Sequence, residues 1–131
     1  MIRIVLVDDH PVLRAGLRAL LTGQPDLRVV GEADGLSRAL RVVTEEHPEV
    51  VLMDLSLGTA GPGGAEATVA LRALPEPPEV LVLTTYDTES DILRALEAGA
   101  RGYLLKGAPP EELFAGILAT ARGETVLAPS V

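Results

Sequence analysis

Short apolar runs alternate along this chain with helical repeats, five times over. Ile2 to Val7 is an unbroken aliphatic run apart from Arg3 and predicts the first strand. Leu13, Leu17, Leu20 and Leu21 then recur at i, i+4, i+7 and i+8, the spacing of an amphipathic helix. Pro11 suits its first turn and Gly23 its end. Arg28 to Ala33 predicts a second strand. Leu36, Ala39, Leu40 and Val43 mark a second helix, stopped at His47-Pro48. Val50 to Met53 is apolar on both faces and predicts a third strand. After a glycine-rich loop from Gly58 to Gly64, a third helix runs from Ala65 to Leu74. Val80 to Leu83 predicts a fourth strand. Asp87 or Thr88 caps a fourth helix carrying Ile92, Leu93 and Leu96 and ending at Gly99. Gly102 to Leu105 is the fifth strand. Pro109-Pro110-Glu111-Glu112 opens a fifth helix with Leu113, Phe114, Ile117, Leu118 and Ala121 inward and Gly123 as its stop.

Strands without polar alternation, separated by amphipathic helices, require a sheet covered on both faces. The pattern therefore predicts an α/β fold: a doubly wound, five-stranded parallel sheet. The leucine stripes are expected to be core. The tail to Val131 is too short for another element.

Composition narrows the function. The 131 residues carry a formal charge of −8 and 47% of them are hydrophobic, so the chain is able to bury a core but repels nucleic acid and anionic lipid. With no cysteine there is no disulfide, zinc-thiolate site or cysteine nucleophile. No apolar run approaches membrane-spanning length, and the N-terminus lacks the features of a signal peptide, so a cytoplasmic location is expected.

The candidate chemistry lies at the downstream ends of the predicted strands. Asp8-Asp9 follows strand one, Asp54 strand three and Thr84 strand four. Lys106, the only lysine of the chain, follows strand five. In an open parallel sheet ligands bind at the carboxyl ends of neighbouring strands. Three acids gathered there repel one another unless a cation joins them, and Mg²⁺ suits one or two carboxylates plus water and phosphate oxygen. A threonine hydroxyl and an ammonium are suited to hold phosphoryl oxygens, with Asp54 as carboxylate nucleophile. His10 is read as a solvent-facing loop residue rather than a metal ligand, and His47 as a helix-end residue without a function.

These positions, with Gly102-Tyr103 ahead of the lysine, resemble the receiver domain of two-component response regulators over essentially the whole chain. The stretches from Asp9 to Leu17 and from Ala98 to Lys106 are most similar to the NarL/LuxR-type subfamily. The resemblance implies a (βα)5 flavodoxin-like receiver fold. It implies that Asp54 takes a phosphoryl group from a sensor histidine kinase in a Mg²⁺-dependent reaction. Asp9 would bind Mg²⁺ directly, Asp8 mainly through water, and the Ser56 backbone carbonyl would be a further ligand. Thr84 would swing toward the phosphoryl group and Tyr103 would change rotamer with it, altering the surface of helix four, strand five and helix five.

Relatives of this type carry a C-terminal helix-turn-helix domain. Residues 1–123 are accordingly read as the receiver, and 124–131 as the start of a linker to a DNA-binding domain that this chain lacks. A homodimer is the remaining partner expected. Two departures from the family's pattern are Leu57-Gly58, where Met-Pro is frequent, and Gly107 after the lysine.

Three other classes compete. A Mg²⁺-dependent phosphohydrolase would need a second acid two residues past the nucleophile, where Ser56 stands, so no enzyme is expected. A dinucleotide-binding module would need glycines in the first βα turn, which reads Asp8-Asp9-His10-Pro11. A receiver that works without phosphate, as an interaction or dimerisation domain, is the alternative reading.

Overall fold

The computed structural model describes residues 1–57, 61–85 and 88–128. Part of the glycine-rich loop (58–60), Tyr86, Asp87 and the last three residues lie outside them. Five strands and five helices alternate: β1 (Ile2–Val7), α1 (Pro11–Thr22), β2 (Leu27–Ala33), α2 (Leu36–Glu46), β3 (Val50–Asp54), α3 (Gly64–Arg72), β4 (Glu79–Thr84), α4 (Glu89–Glu97), β5 (Gly102–Leu105) and α5 (Pro110–Ala121). The strands form one parallel sheet in the order β2-β1-β3-β4-β5.

Successive strand residues face opposite sides of the sheet, and each side has its own core. Val5, Val7, Val51, Met53, Val80, Val82 and Tyr103 pack with Ala39, Val43, Ala67, Leu71 and Ala95, so α2, α3 and α4 cover that face. Ile4, Leu6, Val50, Leu52, Leu81, Leu83 and Leu104 pack with Leu21, Leu113 and Ile117, so α1 and α5 cover the other. Central strands buried on both faces explain why their sequences show no polar alternation.

Several local signals act as expected. Thr88 is the cap of α4, its Oγ1 accepting the Asp91 N–H at 3.3 Å. Gly99 and Gly123 follow α4 and α5 with φ of 107° and 79°, a backbone region that glycine enters without steric penalty. The leucine stripe of α1 is corrected in part. Leu21 is fully buried, but Leu13 and Leu17 are half-buried and Leu20 is exposed. Leu20 and Leu21 are about 100° apart on a helix, so one apolar face does not take both. On α5, Phe114, Leu118 and Ala121 face inward as expected, half-buried and packed against the core.

Residues 124–128, expected to begin a linker, lie against the sheet. Val126 forms an isolated parallel bridge to Gly102: its carbonyl accepts the Tyr103 N–H at 3.0 Å and its N–H donates to the Arg101 carbonyl at 3.2 Å. Val126 and Ala128 are both buried. Gly102 is needed for this approach, because a Cβ there would overlap the Val126 carbonyl group.

Candidate phosphoacceptor site

The site is assembled by strand register. Val7 pairs with Met53, which brings Asp8, just past β1, beside Asp54 at the end of β3. Backbone bonding continues one residue past the strands. Asp8 N–H donates to the Ala33 carbonyl at 3.0 Å, Leu55 N–H to Leu83 at 3.0 Å, and Lys106 N–H to Thr84 at 2.9 Å. Positions that look like loop in the sequence are thereby fixed almost as firmly as strand. A second constraint comes from α3: a Cβ at Gly64 would overlap the Asp54 carbonyl oxygen and crowd Leu55. The helix start packs directly against the backbone that carries Asp54.

Asp54 is 2% exposed, and its two oxygens face different surroundings. Oδ1 is 2.9 Å from Lys106 Nζ and also accepts from the Ser56 N–H at 3.1 Å and the Ser56 hydroxyl at 3.0 Å. Oδ2 is buried and accepts no hydrogen bond among the described residues. Lys106 Nζ stands 3.8 Å from Asp8 Oδ2, so the ammonium lies between the two buried acids. Burial of these charges is tolerable only when they are paired, and one ammonium serves both buried carboxylates. Asp8 is oriented further by the His10 N–H, which donates to its Oδ1 at 2.8 Å, while Arg14 holds its backbone carbonyl.

His10 stands closer to the acids than the sequence reading suggests. Its side chain is 64% exposed, in keeping with a loop position, but Nδ1 is turned into the acids: 3.2 Å from Asp8 Oδ1, 3.1 Å from Asp9 Oδ1 and 3.8 Å from Asp54 Oδ2. The ligating atoms of Asp8, Asp9, His10 and Asp54 all lie within 4.8 Å of one another, a grouping able to hold a metal ion. Sequence reasoning missed this residue. The available signal was its place between Asp9 and Pro11: as the residue capping α1, it has an extended backbone (φ −99°, ψ 103°), followed at once by the helix.

The remaining candidates occupy the second half of the sheet. Thr84 is the buried last residue of β4 and pairs with Leu105, next to Lys106. Tyr103 is 1% exposed and belongs to the α2–α3–α4 core. Ser56 meets Asp54 through its N–H and hydroxyl.

Residues 4–118 match the response regulator receiver domain family. The chain belongs to that family. Its relatives place it with the NarL/LuxR-type regulators. It is 40% identical over 127 residues to the transcriptional regulatory protein LiaR of Bacillus subtilis (strain 168), an alignment covering 97% of this chain and 59% of that protein. It is 37% identical over 124 residues to the nitrate/nitrite response regulator protein NarL of Escherichia coli (strain K12), covering 95% and 56%. The chain thus spans little more than half the length of these relatives. Among solved structures, it is similar to a LuxR-family two-component response regulator from Aurantimonas sp. SI85-9A1. The TM-score is 0.91 at 40% identity, with 99% of this chain and 91% of that one covered. The signal receiver domain of the putative response regulator NarL from Mycobacterium tuberculosis gives 0.86 at 34%, covering 94% and 98%.

Proposed function

We propose that Asp54 is the phosphoacceptor of a two-component receiver, taking its phosphoryl group from a histidine of a sensor kinase. The observation that carries this reading is the divided environment of the Asp54 carboxylate. One oxygen is held by Lys106 and Ser56, and the other is buried without a hydrogen-bond donor. In the transfer, a bond forms between an Asp54 oxygen and phosphorus while the bond from phosphorus to the kinase imidazole nitrogen breaks, and that nitrogen takes up a proton. Lys106 neutralises charge on the transferring group, and Thr84 donates to one of its oxygens.

The donor set fits a divalent cation: clustered carboxylates, with a buried oxygen free of hydrogen bonds. Asp9, Asp54 and the Ser56 backbone carbonyl would hold Mg²⁺, with Asp8 acting mainly through water. The ion supplies charge neutralisation for the approach of two anions. Asp8 and Lys106 orient Asp54, and the packing of α3 on the Asp54 backbone keeps the nucleophile from retreating.

Thr84 and Tyr103 form the switch, carrying the change of charge into the β5 region. The receiver comprises residues 1–123, and 124–131 begin the linker to a C-terminal helix-turn-helix domain that binds DNA. The partners are a sensor histidine kinase and a second copy of the chain. Among the described residues no helix is long and apolar enough to cross a membrane, which is consistent with a cytoplasmic regulator. Turnover as an enzyme is not expected, since no acid stands at Ser56 to activate water.

The test is intact-mass analysis after incubation with acetyl phosphate, with and without Mg²⁺, for wild type and Asp54→Asn. The expected result is one labile phosphoryl adduct that requires Mg²⁺ and is absent in the variant. A folded wild type that takes no phosphate would move the reading to a phosphate-independent interaction domain. Rapid multiple-turnover phosphate release would move it to a hydrolase.

A further inference from the structure

We infer that His10 is a nitrogen ligand of the cation site, and that it raises the site's affinity for first-row divalent transition ions relative to Mg²⁺. The inference rests on the receiver reading only in using the same carboxylates.

The first observation is the placement of Nδ1 among three carboxylate oxygens from two strand ends. Ligands about 2.1 Å from an octahedral ion lie about 3.0 Å apart along an edge and about 4.2 Å apart across it. The separation of Nδ1 from Asp9 Oδ1, 3.1 Å, is edge-like, while the 3.2 Å to Asp8 Oδ1 is a hydrogen-bond distance that holds the ring in place. The 3.8 Å to Asp54 Oδ2 lies between edge and diagonal. The second observation is independent of the ring: Asp54 Oδ2, on the side facing His10, is buried and accepts no hydrogen bond. The opposite side is closed by Lys106 and Ser56, so the open coordination position and the imidazole share one side of the carboxylate.

Hard Mg²⁺ favours oxygen donors, whereas imidazole nitrogen suits transition ions, whose affinity for such sites rises from Mn²⁺ through Ni²⁺ and Cu²⁺. A neutral imidazole with its hydrogen on Nε2 offers the Nδ1 lone pair to the ion. Replacing one oxygen ligand by this nitrogen raises transition-ion affinity more than it changes Mg²⁺ affinity. His10 makes no side-chain cap bond to α1 and is largely exposed, so removing its ring leaves the fold in place.

The test uses Mn²⁺ as probe. Binding of Mn²⁺ and Mg²⁺ is measured by calorimetry on wild type and His10→Ala, and the Mn²⁺ complexes are examined by pulsed electron paramagnetic resonance. Wild type is expected to show coupling to a directly bound nitrogen, absent in His10→Ala and retained in His47→Gln, since His47 is the only other histidine. The ratio of Mn²⁺ to Mg²⁺ affinity should fall at least fivefold in His10→Ala. Absence of nitrogen coupling in wild type, an unchanged ratio, or tighter binding of both ions by His10→Ala would overturn the inference. The last outcome would mean that the ring obstructs the site. Acetyl phosphate labelling of His10→Ala in Mg²⁺ separates the two readings. An adduct there with no nitrogen signal in wild type retains the receiver and removes the ligand. Nitrogen coupling in a wild type that takes no phosphate does the reverse.

Discussion

The carboxyl ends of β1 and β3 and the outer edge at β5 are held by opposite means. At the first, charged groups that repel one another are crowded under a single ammonium, and the geometry is set by hydrogen bonds to side-chain oxygens. At the second, the chain returns on itself and is fastened by backbone bonds and small apolar contacts around Gly102, Val126 and Ala128. The charged end gives up stability to bring buried carboxylates together, whereas the fastened edge contributes stability. Two buried threonines repeat the contrast. Thr68, on α3, donates its hydroxyl to the Gly64 carbonyl at 2.8 Å, while Thr120, on α5, has a buried hydroxyl without a hydrogen-bond partner among the described residues.

Substitutions that set the two regions against each other should follow this division. Lys106→Ala leaves two buried acids without their ammonium and should cost about 3 kcal/mol in urea unfolding, with loss of the Asp54 adduct. Restoration of stability by the further change Asp54→Asn would trace the cost to unpaired charge rather than lost packing. Gly102→Ala forces Val126 away and should cost about 2 kcal/mol, with faster hydrogen exchange at the Tyr103 and Val126 amides and unchanged Mg²⁺ affinity. A change in Mg²⁺ affinity there would mean that the two regions are coupled. Thr68→Val and Thr120→Val should move stability in opposite directions, by about 1 kcal/mol each. The first removes a buried hydrogen bond to the Gly64 carbonyl, and the second removes a hydroxyl with no partner among the described residues.

The smallest effect belongs to the exposed Arg122–Glu124 pair after α5. The Arg122 guanidinium holds the Glu124 carboxyl below its usual range, by hydrogen bond first and by charge second. A lowered folded value contributes stability above the ordinary carboxylate range, and that contribution is lost as pH falls through the folded value. The difference in melting temperature between wild type and Glu124→Gln should therefore be slight at neutral pH and vanish in acid.

The charged end was largely legible in the sequence because its residues are chemically out of place: acids and a lone lysine at the ends of aliphatic runs. The sheet was legible for the same reason of contrast, since Val50 to Met53 and Val80 to Leu83 have no polar face to show solvent. His10 was not, because the direction of its ring depends on the turn between β1 and α1 and not on its residue type. The fastened edge was not either. Thr125, Val126 and Leu127 make too short a run to specify a strand, and Gly102 looks like an ordinary strand-opening residue until Val126 stands against it. On α1, periodicity identified the helix correctly but overstated how much of it is covered.

The bridge between Val126 and Gly102 is parallel, so the chain there travels in the same direction as β5. By Ala128 it has reached a cavity of about 580 Å³ that it lines together with Thr85, Leu105, Lys106 and Pro109. Ala128 therefore lies at the pole of the sheet where the Asp54 carboxylate lies, not at the far pole. Lys106 is common to that cavity and to the acidic cluster.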